Sequence, residues 1–260
     1  MPTTLSVTEH LEGLREALVS FVRYADRAGL RAGVPTTPAW NVRQLIAHQG
    51  MVHRWAAANL RGLSSDTELL EREGQTSVDP VEWLRDGAID FVTALTQAPE
   101  SVGAPVFLHD APGPRQFWAR RQCHETTIHA VDAMAAALGR APTADETWIS
   151  PALALDGIDE LVRGFLPRSK STLRSDEPLT IAVLPDEGER AWLVSVSSAP
   201  AVTVEVPAAD PRCEKAETVM AGGAVALYLD LWNRSSAGGD GDGAGQPGAH
   251  LWRERARIVW

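Results

Sequence analysis

The chain has little with which to cross-link itself, enter a membrane or hold a phosphate backbone. Its 260 residues include 2 cysteines, Cys123 and Cys213. That is too few for a disulfide framework, so reduced thiols are the default. Lysine is almost missing: Lys170 and Lys215 are the only two, and arginine carries the remaining positive charge. This bias reflects base composition rather than chemistry. No stretch approaches the ~20 unbroken apolar residues of a membrane-spanning helix. The opening MPTTLSVTEHLEGL has no basic segment followed by an apolar one, so no signal peptide is expected and the chain is placed in the cytoplasm. The 24 basic and 34 acidic residues give a net charge of -10, without a long Lys/Arg run, which argues against nucleic acid as a partner. What is present, 44% hydrophobic and 22% charged residues, is the composition of a folded chain.

The first half reads as helices. Ser6 and Glu9 have capping-box spacing, and Leu11, Leu14, Leu18, Phe21, Val22 and Ala25 follow the 3,4 rhythm of one buried face. Gly29, Gly33 and Pro35 end that helix. Asn41 with Gln44 starts a second helix, which runs to about Leu60. Pro80 opens a third, holding Trp83, Ile89, Phe91 and Leu95. Residues 99–114 read as a Pro/Gly-rich loop, and a fourth helix covers Arg115 to Leu138. Four amphipathic helices with one long connection between the second and third predict a bundle.

The second half changes character. Glu146 to Phe165 reads as helix. Leu179–Leu184, Ala191–Val196 and Ala201–Val206 are β-branched runs, with Pro185-Asp186-Glu187-Gly188 as a turn between the first two. Ala216 to Trp232 returns to helix, Gly238 to Gly248 reads as a polar loop, and Arg257–Trp260 as a closing strand. The expected fold is an all-helical domain over residues 1–143 followed by a smaller α+β domain over 144–260.

Chemistry concentrates in two helices. Leu45, His48, Val52 and Trp55 share a stripe of the second helix, which makes His48 either a hydrogen-bonded core histidine or part of a site. In the fourth, Glu125, His129 and Asp132 share one face at about 100° per residue, whereas His124 and His129 diverge by about 140°. This HExxxH spacing excludes the zinc-protease motif, whose two histidines lie one turn apart. Glu125 and His129 are either a solvated i,i+4 pair or inward-facing groups. Two imidazoles and one carboxylate from neighbouring helices leave coordination positions open, as in catalytic rather than structural zinc sites. Iron, nickel or cobalt could use the same ligands. Asp132 is either a group that orients a ligand or a solvated residue. Cys123, two residues from Glu125, points away and reads as a small buried side chain. Asp240 and Asp242 lack the remaining ligands of a calcium loop. His53, His109 and His250 join no constellation. Trp55, Trp83 and Trp118 read as packing.

The Trp40-Asn41-Val42 start, the Leu45-x-x-His48 step and the block from Arg121 through His124-Glu125, His129 and Asp132-Ala133 resemble the DinB-type bundle of mycothiol-dependent maleylpyruvate isomerases. Ala226–Arg234 is similar to a helix of that family's C-terminal domain. The resemblance implies a divalent metal, zinc first with nickel, iron or cobalt as alternatives, held by His48, Glu125 and His129. It implies mycothiol, the small thiol of actinobacteria, as cosubstrate, and a small electrophile as substrate. Arg234 matches an arginine important for activity in the isomerase, and could hold a substrate carboxylate or cap its own helix. The implied reaction is cis–trans isomerisation or thiol S-transfer by a monomer or homodimer. A metal-dependent hydrolase and a non-catalytic binding module are the alternatives.

Overall fold

The computed structural model describes residues 3–235 and 247–258. The chain divides into two units, a helical one from Thr4–Val106 and Pro112–Pro142, and a sheet-containing one from the described parts of Met1–Thr3, Phe107–Ala111 and Thr143–Trp260. The architecture is therefore a helical bundle and an α+β unit, as the sequence predicts.

In the helical unit, α1 (Val7–Ala28) and α2 (Val42–Leu60) both begin in the capping boxes read from the sequence. The Ser6 hydroxyl accepts from the Glu9 amide at 3.2 Å, and Asn41 Oδ1 accepts from the Gln44 amide at 3.0 Å. Each reciprocal pair satisfies backbone donors that a helix start otherwise leaves bare. The connection from α2 to the next predicted helix is not an irregular loop. It contains α3 (Thr67–Thr76), capped by Asp66, whose carboxylate accepts from the Leu69 amide. Its ten residues are mostly exposed and too few to hold a helix by propensity, so the periodicity gave no warning. Helix α4 (Pro80–Gln97) follows, starting at its proline and burying Leu84, Phe91 and Leu95. Tertiary packing holds α3: the Trp83 ring of α4 lies against both Gly50 of α2 and Gly74 of α3, where a Cβ would collide with it.

Helix α5 (Pro114–Leu138) departs from the expected amphipathic pattern. Every residue from Phe117 to Ala135 is buried, including Arg120, Arg121, Gln122, His124, Glu125, His129 and Asp132. Its polar side chains face the interior, and buried polar groups must find partners there. That demand builds the candidate site.

In the other unit, a short 3-10 turn (Ala144–Glu146) precedes α6 (Pro151–Asp159), which runs into a π-helical turn (Glu160–Phe165). The single helix expected over Glu146–Phe165 is thus broken at Ser150-Pro151, where a serine cap and a first-turn proline begin a new one. Strands β1 (Leu179–Pro185), β2 (Arg190–Val196) and β3 (Val202–Pro207) form an antiparallel meander. After the short helix α7 (Pro211–Glu214) comes β4 (Thr218–Gly222), parallel to β1, giving the order β3-β2-β1-β4. The helix expected over 216–232 is therefore corrected to this strand followed by α8 (Ala224–Leu231). Gly222 (φ 142°) and Gly223 separate the two, in a conformation that a helix interior cannot hold. Both faces of the sheet are covered. Ala182, Ala191, Leu193, Val206 and Cys213 make one core, while Trp192 on the opposite face donates to Asp159 of α6 at 3.0 Å.

Helix α9 (Pro247–Arg255) leads into residues 256–258, which have no regular structure. The closing strand expected over Arg257–Trp260 is therefore corrected for its first two residues: the Arg257 amide donates back to the Arg255 carbonyl at 2.9 Å, so the chain turns here instead of extending. Its last two residues, Val259 and Trp260, lie outside the described residues. Most of the expected loop at 238–248, with Asp240 and Asp242, lies outside them too.

Candidate metal centre

Three side chains converge between α2 and α5. The Glu125 Oε1 atom lies 3.5 Å from His48 Nε2 and 3.3 Å from His129 Nε2. One donor atom from each of the three residues lies within 4.8 Å of the others. Glu125 and His129 are buried, and the His48 side chain is 13% exposed, so the solvated-pair reading of Glu125 and His129 does not hold.

Each donor is aimed by a further contact. Arg121, one turn before Glu125 on α5, donates through Nη2 to Glu125 Oε2 at 2.7 Å, which leaves Oε1 for the histidines. Asp132 Oδ2 lies 2.9 Å from His129 Nδ1, which leaves Nε2 facing the cluster. Asp132 is fully buried and also accepts from Thr36 Oγ1 at 2.5 Å, so it orients a site residue and is not solvated. Thr36 and Trp40 come from the α1–α2 loop. Backbone bonds from Val34 to Trp40 and from Val42 to Ala32 hold that loop in place. The Trp40 ring packs on those of His48 and His129, with centroids 4.8 and 5.8 Å away.

Charge follows the same geometry. Burial alone would raise the Glu125 carboxyl, but the Arg121 guanidinium and the two imidazoles hold it well below the usual carboxylate range. Burial alone would depress His129, but its hydrogen bonds to Asp132 and Glu125 and their charges raise it to about 9. A proton on His129 therefore contributes stability that is fully present below pH 6.5 and lost as pH rises through about 9. In the metal-free protein, Asp132→Asn is expected to lower the His129 midpoint by about one unit or more. Imidazole NMR shifts followed against pH test this, and an unmoved midpoint would show that the carboxylate is not the cause.

The donor set suits a divalent cation. Two imidazole nitrogens and one carboxylate oxygen are zinc-type ligands, and separations of 3.3 and 3.5 Å fall within the about 3.3–3.6 Å expected between ligands held tetrahedrally at about 2.0–2.2 Å. With neutral imidazoles the linked side chains of the cluster include two carboxylates, Glu125 and Asp132, against the guanidinium of Arg121, a balance that favours a cation.

The other sequence candidates are placed elsewhere. His124 does not join the cluster; its ring meets that of His10 edge-on at 6.1 Å. Cys123 is fully buried. Arg234 belongs to the sheet-containing unit, just after α8, where its Nη1 donates to the Trp232 carbonyl at 2.8 Å. His53, which the sequence left without a role, is fully buried against Gln49 and Thr126. Sequence reasoning gave no role to Arg121, although its i,i+4 spacing to Glu125 was a readable signal. Thr36 and Trp40 reach the site through the loop, which no periodicity could indicate.

No curated protein and no solved structure matches this chain. The family model described as the mycothiol maleylpyruvate isomerase N-terminal domain matches residues 11–134, a span that contains His48, Glu125 and His129. The match over residues 11–134 supports the mycothiol maleylpyruvate isomerase family that the sequence motifs resemble.

Proposed function

We propose that the protein is a metal-dependent enzyme that activates mycothiol for attack on an electrophilic small molecule, as a cis–trans isomerase or thiol S-transferase. The observation that carries this reading is the convergence of His48, Glu125 and His129 within the matched domain. A divalent ion held there, zinc first, would keep a bound thiol deprotonated, and only the thiolate is a good nucleophile. Arg121 holds one carboxylate oxygen of Glu125 so that the other faces the histidines. Asp132 fixes the orientation of the His129 ring, as partners of ligating histidines generally do. Trp40 covers both imidazoles. Arg234 is the proposed partner of a substrate carboxylate, because its paired N–H groups match that shape better than lysine would.

Addition of the thiolate to an electron-poor double bond leaves a single bond about which the substrate rotates. Expulsion of the thiolate then gives the trans product, whereas displacement of a leaving group gives a conjugate. The test is metal content per chain, followed by turnover of a cis-unsaturated acid with and without mycothiol. The expected result is about one zinc per chain in the parent, little in Glu125→Ala, and turnover that requires the thiol. Absence of binding after reconstitution with zinc, nickel and iron would overturn the reading. Turnover without thiol would replace it by hydrolysis, and metal binding with neither activity by a binding module.

A further inference from the structure

Next to the cluster, α2 and α5 contribute a second polar group of side chains that the proposed chemistry does not use. Gln49 follows His48 and Thr126 follows Glu125; His53 lies one turn after Gln49 on α2, and Gln122 one turn before Thr126 on the same face of α5. All four are fully buried. The Thr126 hydroxyl donates to the backbone carbonyl of Gln122 at 2.7 Å. Gln49 Nε2 donates to the hydroxyl oxygen at 3.1 Å, and His53 Nε2 lies 3.0 Å from that oxygen and 2.9 Å from Gln49 Nε2. These bonds use one end of each side chain only. Gln49 Oε1, His53 Nδ1 and both amide atoms of Gln122 have no hydrogen-bond partner among the described residues.

Native interiors rarely leave buried amides in this condition, because each unsatisfied group loses its bonds to water without replacement. The unsatisfied atoms include both donors and acceptors: the Gln122 amide alone offers one of each. An ion does not suit them, since Gln49, Gln122 and Thr126 carry no charge and burial keeps His53 neutral at ordinary pH, its pKa lowered to about 3. A small neutral molecule that both donates and accepts does suit them. We propose that this layer is an internal hydration site, in which at least one ordered water is bound by the Gln122 amide. Its role is to complete the polar contact between α2 and α5 beside the residues that hold His48 and Glu125.

Two measurements on the full chain test this, neither of which depends on metal or activity. Replacing Gln122 by leucine, of similar size, removes the amide. If water satisfies that amide, Gln122→Leu discards its bonds, and the melting temperature falls by about 4 °C or more. If the layer is dry, the same change removes two unsatisfied atoms and the melting temperature stays or rises, which overturns the proposal. A crystal structure of the parent at high resolution is the second measurement. Density for a water within hydrogen-bond distance of Gln122 Nε2 or Oε1 is expected, and its absence overturns the proposal whatever the melting result, including a variant that fails to fold.

Discussion

Glu125→Ala is expected to destabilise the helical unit by about 3–5 kcal/mol even when no metal is bound. The reason lies in Arg121, whose guanidinium is buried and donates to Glu125 Oε2 at 2.7 Å. Deleting the carboxylate takes away a charge-assisted hydrogen bond of this guanidinium, and the cost of keeping its charge out of water is then less well offset. His129 also loses one of the groups that raise its pKa to about 9, so a proton there contributes less stability. Denaturant unfolding of the full chain in chelator, with hydrogen exchange on α2 and α5, reads the effect. A parent and variant that open equally would show that the pair contributes nothing.

Pairing the change with its partner separates charge from packing. Arg121→Met combined with Glu125→Gln removes both charges while keeping similar volume, and is expected to recover most of the loss, because replacing a buried ion pair is often close to neutral. With zinc present, the gap between parent and Glu125→Ala widens, since a ligand that binds only the folded state adds its binding free energy to stability.

Much of this architecture was legible locally. The boxes at Ser6 and Asn41 and the shared face of Glu125, His129 and Asp132 depend on residues a few positions apart, and spacing captures such relations. What escaped depends on distant partners. Helix α3 exists because Trp83 packs against Gly50 and Gly74, and β4 because Thr218–Gly222 pairs with β1, from which β2 and β3 separate it in sequence. Asp132 illustrates the division. Its helix face was readable, but its choice between solvent and site is made by Thr36, 96 positions away. The same holds for α5 as a whole, where a mixed polar sequence is buried from Phe117 to Ala135 by segments distant in the chain.

The second large effect is acid destabilisation through His53. Burial, with a smaller contribution from the Arg54 charge, lowers its pKa from 6.5 to about 3. The sign follows: the unfolded chain takes up a proton near pH 6.5 that the folded chain refuses until about pH 3, so stability is intact above the first value and lost as pH falls toward the second. The slope between them is about 1.4 kcal/mol per pH unit. Other acid-sensitive groups of the site act in different windows. His129, with its raised pKa, is protonated in both states well below pH 6.5 and adds little slope there. Glu125 begins to contribute only as pH falls below its unfolded value of 4.5. Between pH 6.5 and 4.5 the difference between parent and His53→Leu therefore isolates one residue, and amounts to about 3 kcal/mol. Unfolding of both proteins in chelator across that range is the measurement, and parallel slopes would refute the assignment. The contrast with His129 rests on neighbours alone: carboxylates beside one imidazole hold its proton, while amide and hydroxyl groups beside the other give a proton nothing to balance it.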